Sequence, residues 1–216
     1  MKNYYRFFCL LFCIVLSSTC LAKRSSEYIV LAVGTSFSYR FDQTVKWRIT
    51  ELAGGKVLKN GFGPIRKLVF EIPGAYQIDV EEELNYDPAT CNHPQYPNEI
   101  TIEVSPYRME FDFATVRLSD EIAGGQPADG RTLSVDVNFS VYGKDTVVYE
   151  VPPVRTAGAG TSITGLPIDK QILLKPGVNT FVYLLSGQVH SNSYIMFDFL
   201  DINNQVQVYS LPQKIK

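Results

Sequence analysis

The chain has 216 residues, of which 45% are hydrophobic and 19% charged, a balance typical of a folded rather than a disordered protein. Its formal charge is −2, and without residues 1–22 it has 18 basic and 22 acidic groups, which gives no electrostatic attraction to DNA or RNA. Aromatic residues make up 12% of the chain and favour half-buried strands over helices. These values argue against a nucleic-acid-binding protein and favour an all-β fold.

The first 22 residues have the pattern of a bacterial export signal. Lys2 and Arg6 supply a basic start, and the apolar run 7–16 has about the length of a signal peptide. This run is too short to cross a bilayer comfortably. Three alternatives stay open for this segment. It is cleaved after Ala22, it is processed with lipidation of Cys20, or it remains as an uncleaved anchor. We expect an exported protein in the periplasm or at the cell surface, held to the membrane only if Cys20 is lipidated.

Cysteine usage excludes a disulfide framework. Cys9, Cys13 and Cys20 lie within the signal, so Cys91 is the only thiol far from it. The fold must therefore be stabilised by its hydrophobic core.

From Glu27 onward, apolar and polar residues alternate, which is the pattern of half-buried strands. The clearest case is 66–84 (RKLVFEIPGAYQIDVEEEL), where Pro73-Gly74 separates two alternating runs. Asn60-Gly61, followed by Gly63-Pro64, predicts a loop. The segment 85–98, with three prolines and three asparagines, predicts another. The other strands predicted in this half are 28–33, 37–41, 45–49, 56–59 and 100–104.

The second half begins after Ser105-Pro106, the best candidate for a domain boundary. Gly143–Asp145 predicts a hairpin turn, and Asn203-Asn204 predicts a second one because Asn tolerates positive φ. The segment 156–165 (TAGAGTSITG) predicts a flexible surface loop, as does 124–130. The strands predicted in this half are 109–113, 135–141, 146–151, 172–174, 180–185, 194–200 and 206–208.

Each half therefore contains about six or seven predicted strands, at the spacing of β-sandwiches. The sequence predicts a signal peptide over residues 1–22 and a first sandwich over residues 23–106. It predicts a second sandwich over residues 107–216. Both sandwiches are expected to be immunoglobulin-like and to follow one another in tandem.

The first half resembles a PKD-type immunoglobulin-like module over residues 27–106. Such modules have a Trp-bearing strand, here with Trp47, followed by a Gly-x-Tyr-x-Val-x-Val strand, here Gly74-Ala-Tyr76-Gln-Ile78-Asp-Val80. The turn after Trp47 departs from the family's acidic glycine-rich turn. The resemblance implies extracellular spacing, adhesion or assembly, and it brings no catalytic residues. The second half resembles an immunoglobulin-like sandwich in its general pattern.

Two clusters have residue types found in metal sites. Cys91 and His93 could ligate zinc or form a nucleophile–base pair, but structural zinc needs four ligands and the chain has only 2 His. Oxygen ligands between Asp198 and Asn204 could hold Ca²⁺, but they lack the Gly and the distal Glu of a calcium loop. Turn chemistry explains the asparagines, so we predict neither metal nor cofactor.

Two further patterns resemble catalytic or nucleotide sites. Carboxylates of Asp79, Glu81 and Glu83 could serve glycoside hydrolysis, but they share the polar face of one strand, which solvation explains. Gly158–Gly165 lacks the Gly-Lys-Ser/Thr ending of a phosphate loop and a following helix. We predict no catalytic residues and a protein that is not an enzyme, with a secreted hydrolase as an alternative.

The predicted function is a non-enzymatic binding or assembly module at the bacterial envelope or cell surface. Because sandwiches present loops at their ends, the 85–98 and 156–165 loops are expected to recognise an envelope or surface protein, or a glycan. An alternative is a subunit of a surface fibre, or of a secretion or conjugation apparatus. The tyrosines near the first loop could instead pack the junction between the sandwiches. The candidate contact residues are Tyr86, His93, Tyr96, Thr161 and Ser162.

Overall fold

The computed structural model describes residues 25–82, 95–143 and 146–211. The candidate residues Cys20, Tyr86, Cys91 and His93 lie outside these ranges. Sixteen β-strands occur within them and no helix, which confirms the predicted all-β class. Consequently, no helix of the described chain has the length and apolarity that a membrane span needs.

The first half contains seven strands divided between two sheets. Five strands follow the order β1-β7-β6-β3-β4, and β2 pairs with β5 in a separate layer. The pairing of β1 with β7 is parallel, and the other pairs are antiparallel. The strands are β1 (Ser26–Ala32), β2 (Ser36–Tyr39), β3 (Lys46–Glu51), β4 (Val57–Phe62), β5 (Ile65–Val69), β6 (Gly74–Glu81) and β7 (Glu99–Ser105).

Two side chains identify this half as an immunoglobulin-like sandwich. Trp47 is buried on β3, the strand that corresponds to the Trp-bearing strand of such sandwiches, and its Nε1 donates to the Gly63 carbonyl at 2.8 Å. Tyr76 near the start of β6 donates its hydroxyl to the Ile72 carbonyl at 2.8 Å, as a tyrosine corner does. The alternating apolar residues of β3, β6 and β7 face the same core.

Asn60-Gly61 is not a loop, because β4 continues through both residues to Phe62. Gly61 lies opposite Trp47 in the pairing of β3 with β4, and a Cβ on Gly61 would lie 2.6 Å from the indole ring. The glycine therefore permits close approach of the indole rather than a turn. Pro73-Gly74 connects β5 to β6, which lie in different sheets, so it joins the two layers of the sandwich.

The second half contains nine strands. Seven of them follow the order β16-β15-β11-β12-β14-β9-β8, and β10 pairs with β13 in a two-stranded sheet. The strands are β8 (Tyr107–Leu118), β9 (Thr132–Val141), β10 (Val147–Glu150), β11 (Val154–Ala157), β12 (Thr164–Pro167), β13 (Gln171–Leu174), β14 (Gly177–Ser186), β15 (Met196–Leu200) and β16 (Val206–Ser210).

Side-chain amides connect the first and last strands of the seven-stranded sheet. Gln207 on β16 accepts from the Phe111 N–H at 3.1 Å and donates to the Met109 carbonyl at 2.8 Å. Asn203 donates to the Tyr107 carbonyl at 3.0 Å. The sheet is therefore curled around its core, and its seven-and-two division differs from the four-and-three division of immunoglobulin constant-type domains.

Two predictions for the second half are wrong. Gly143–Asp145 does not join a hairpin, because β9 and β10 belong to different sheets. The segment 156–165 is not all loop, because β11 extends to Ala157 and β12 begins at Thr164. Small residues here suit packing, since a Cβ on Gly165 would lie 3.1 Å from the Tyr183 side chain.

The predicted turn at Asn203-Asn204 is confirmed. It connects β15 to β16, and Asn204 has a positive φ of 59°. The buried Asp201 accepts from the backbone N–H groups of Asn203 and Gln205 at 2.8 and 2.9 Å. This carboxylate therefore stabilises the turn, as turn chemistry predicts.

Each half has its own sheets and its own buried core. Only Pro106 separates β7 from β8, and Gln205 donates a hydrogen bond to the Val30 carbonyl across the junction. The tandem-domain division and the immunoglobulin-like assignment of the second half stay predictions.

Alkaline pH should destabilise the first half through Tyr39. Burial raises the pKa of Tyr39 from 10.0 to about 12. The hydrogen bond that its hydroxyl donates to Glu27 at 2.7 Å and the negative charge of Glu27 add to this shift. Because the folded pKa exceeds the unfolded one, this contribution to stability is complete below pH 10 and is lost as the pH rises through about 12. The Tyr39→Phe variant has no hydroxyl to ionise at this position. Its free energy of unfolding, measured in urea, should therefore fall less over this pH range than that of the wild type. An equal fall in both proteins would contradict the assignment.

Candidate functional site

Three loops meet at one end of the second half, and we call them together the platform. They are residues 121–131 between β8 and β9, 158–163 between β11 and β12, and 187–195 between β14 and β15. Pairing of β12 with β14, and of β14 with β9, brings these strand ends to the same edge. The buried apolar residues that anchor the loops are Ile122, Ala128, Ile163, Val189 and Ile195.

The 187–195 loop lies between the other two and bonds to both. The Val189 carbonyl accepts from Gly125 N–H at 2.7 Å, and the Gly187 carbonyl accepts from Ala128 N–H at 2.7 Å. On its other side, Val189 forms an isolated β-bridge with Thr161. Backbone groups that are ordinarily hydrated in loops are here paired between loops, which restrains all three.

Ser162 supports this contact with its side chain. Its N–H donates to the Gln188 carbonyl at 2.8 Å, and its hydroxyl lies 3.2 Å from both the carbonyl and the N–H of Gln188. His190 N–H donates to the Gly160 carbonyl at 2.9 Å. The hydroxyl of Ser162 therefore holds two loops together.

Thr161 also bonds within the protein. Its hydroxyl lies 3.0 Å from the Thr156 hydroxyl and accepts from Ile163 N–H at 3.3 Å. The structure thus brings the predicted contact residues Thr161 and Ser162 together, as neighbours in one loop. Both side chains bond within the platform, and because Ser162 is exposed and Thr161 half-buried, their contact with a partner stays a prediction.

Tyr96 lies in the first half, half-buried beside its core. Its ring meets Phe41 edge-on with the ring centroids 5.3 Å apart. Burial raises the pKa of Tyr96, and hydrogen bonding to Asp42 adds to the shift. Tyr96 is thus separate from the platform, while Tyr86 and His93 lie outside the described residues.

The platform glycines allow close contact between loops. Gly187 has a φ of 99°, and a Cβ there would lie 2.4 Å from the Ser162 carbonyl oxygen. Gly158 has a φ of 142°, and a Cβ there would lie 2.5 Å from the Tyr194 carbonyl oxygen. These glycines serve backbone packing between the loops.

The exposed side chains of the 187–195 loop were not predicted from the sequence. His190, Asn192 and Tyr194 are exposed, with 62% of Tyr194 accessible, and Asn192 has a positive φ of 63°. The polar run 190–193 between two apolar strands is the signal that could have identified them. An imidazole, a carboxamide and a phenol provide donors, acceptors and aromatic surface, which suits non-covalent binding.

Within the described ranges, no three His, Cys, Asp or Glu side chains are grouped as a metal site would require. Asp79 and Glu81, two of the carboxylates considered for hydrolysis, lie on β6 in the first half and not in the platform, while Glu83 lies outside the described residues. Asp79 pairs there with Arg48 at 2.9 Å.

No protein-family model matches the chain, and no curated protein matches it in sequence. Among solved structures, it is similar to fibronectin(III)-like modules of CbhA from Clostridium thermocellum, with 12% identity, a TM-score of 0.26, and 90% of this chain and 92% of that chain covered. It is also similar to a β-glucuronidase of glycoside hydrolase family 2, with 9% identity, a TM-score of 0.22, and 85% and 19% covered.

A third similar structure is Dpr2 Ig1-Ig2 in complex with DIP-Theta Ig1-Ig3, with 11% identity and a TM-score of 0.21. The match covers 88% of this chain and 62% of that chain. The immunoglobulin-like description of the first half rests on its strand order, its buried Trp47 and the Tyr76 corner.

Gly187→Ala should destabilise the second half more than Gly177→Ala does. Both glycines have a similar φ (99° and 107°), but a Cβ on Gly177 meets nothing within 4 Å. We expect a loss of about 1 kcal/mol for Gly177→Ala from backbone strain alone. Gly187→Ala adds the clash with Ser162 and should lose about 2–4 kcal/mol. Urea unfolding measures both values, and equal losses would show that the loops do not pack as described.

Proposed function

We propose that the protein is a non-enzymatic, exported module of the bacterial envelope or cell surface that binds a protein partner through the platform. The observation that supports this function is the cross-bonding of three loops beneath the exposed residues His190, Asn192 and Tyr194. Loops fixed before binding lose less conformational entropy when they bind, which favours affinity.

The residue types of the 187–195 loop support a protein partner. The loop contains Gly187, Ser191, Asn192, Ser193 and Tyr194. Binding loops of antibodies are rich in the same types, because Tyr supplies rigid contact area and Ser, Gly and Asn supply adaptable hydrogen bonds. Tyr is also enriched among the residues that dominate protein–protein binding energy.

Export and the tandem architecture belong to the same proposal. The basic and apolar pattern of residues 1–22 supports export, either by cleavage after Ala22 or with lipidation of Cys20. The first half would act as a PKD-like spacer, because its core is separate and only Pro106 separates β7 from β8. This arrangement would hold the platform at a fixed distance from the N-terminal attachment point.

Tyr194→Ala should remove partner binding, whereas Tyr142→Ala should not. Both tyrosines are exposed, at 62% and 54%, but Tyr142 follows β9 and is not part of the platform. The purified wild-type chain is used to capture partners from an envelope extract, and the captured protein is then purified. Its dissociation constant should rise by about 30-fold for Tyr194→Ala, as for a central interface tyrosine, and stay within about twofold for Tyr142→Ala.

An unchanged dissociation constant for Tyr194→Ala would overturn the platform assignment. Capture of glycans alone would overturn the choice of a protein partner. If the captured protein is a second copy of this chain, light scattering of the purified protein should show self-association that Tyr194→Ala abolishes, and the module would then act in assembly.

A further inference from the structure

The outer face of the five-stranded sheet bears a groove across β4, β3 and β6. Strand pairing sets six side chains in two rows of three. Neighbouring strands lie about 4.8 Å apart, and alternate residues of a strand lie about 6.6 Å apart, so the rows cover about 10 by 7 Å. One row is Phe62, Lys46 and Glu81, and the other is Asn60, Arg48 and Asp79.

The groove has an aromatic wall at the sheet edge. Phe62 is 65% exposed, and the Lys46 ammonium lies 5.9 Å from the centre of its ring. The cavity volume is about 240 Å³, smaller than the roughly 300–1,000 Å³ of pockets for drug-sized ligands. Its volume and footprint suit one sugar ring with a neighbouring residue.

The charges of the groove cancel. Lys46 and Arg48 contribute two positive charges, and Asp79 and Glu81 contribute two negative charges. The Arg48–Asp79 pair is formed, with Nη2 and Oδ2 2.9 Å apart. A polyanion or a polycation would meet as much repulsion as attraction here, so the groove favours an uncharged ligand.

An uncharged ligand rich in hydroxyl groups matches these polar groups. The Asp79 carboxylate already accepts from Arg48 on Oδ2 and from Gln77 on Oδ1, and it can accept from a hydroxyl through its remaining lone pairs, as Glu81 can. Arg48 and Asn60 can donate to hydroxyl oxygens. Hydrogen bonds to charged groups are about twice as strong as those between neutral groups. The C–H face of a pyranose ring complements the electron-rich face of the Phe62 ring. Amino-acid side chains of a protein partner lack this combination of a flat apolar face and a rim of hydroxyls.

We propose that this groove binds a neutral glycan, with one pyranose ring against Phe62 and its hydroxyls bonded to Asp79, Asn60 and Arg48. The site lies on the first half and the platform on the second, so the glycan would be a second ligand. A failure of the glycan proposal would leave the platform proposal unaffected.

Binding to the groove is measured in two steps. The purified chain is first tested on an array of immobilised neutral, sialylated and sulfated oligosaccharides. The neutral oligosaccharide that binds best is then titrated into the purified chain by isothermal titration calorimetry. Saturable binding of a neutral oligosaccharide is expected, with little binding to the charged ones.

Phe62→Ala should weaken this binding by up to about tenfold, the factor expected for loss of an aromatic contact. Tyr28→Ala is the matched control, because Tyr28 is a 60%-exposed aromatic on β1, at the opposite edge of the same sheet, and should keep binding within about twofold. Thermal unfolding verifies that both variants fold. Tyr194→Ala should bind the glycan normally.

Absence of binding to every neutral oligosaccharide on the array would overturn the proposal, and so would binding to charged oligosaccharides alone. Equal affinities of the wild type and Phe62→Ala would place any bound glycan outside the groove. If Phe62→Ala instead abolishes self-association of the chain, the open edge of β4 pairs with a second copy, and the glycan assignment is wrong.

Discussion

The hydrogen bonds around Val189 are the constraint on which the platform depends. Loop backbones need partners for their N–H and C=O groups, and here the loops supply them to one another. Val189 has a fully buried side chain, accepts from Gly125 N–H at 2.7 Å and bridges to Thr161. One segment thereby fixes the loops on both sides of it. Because these bonds join loops at the ends of paired strands, the rigidity of the sheet extends to the exposed residues His190 and Tyr194.

Glycine has the same role in both halves of the chain, although the surfaces differ. Gly61 lets the Trp47 indole lie over β4, and Gly187 lets its loop pass against the Ser162 carbonyl. In each case a Cβ would collide with a neighbour, so the residue type follows from close packing. The first contact supports the groove beside Phe62, and the second supports the platform.

Strand positions were largely predictable from the sequence because burial of one sheet face imposes alternation, as at Ile100–Val104 and Val135–Val141. The division of strands between sheets was not predictable, since partners such as β10 and β13 are distant in sequence. Local turn signals failed where packing decides the residue, as at Gly61. The sequence pattern predicts a strand from Tyr194 onward, but β15 begins at Met196, and the exposure of Tyr194 depends on the fold of the loop that contains Val189.

Amide hydrogen exchange of the purified chain tests most directly whether the platform is fixed before binding. The N–H groups of Gly125, Ser162, Gly187 and His190 donate to neighbouring loops and should exchange nearly as slowly as those of β14. Exposed N–H groups in loops that lack such bonds exchange at rates close to those of an unfolded chain. These fast amides serve as the internal reference. Exchange of these four amides at that fast rate would contradict a preformed platform, whatever partner the protein binds.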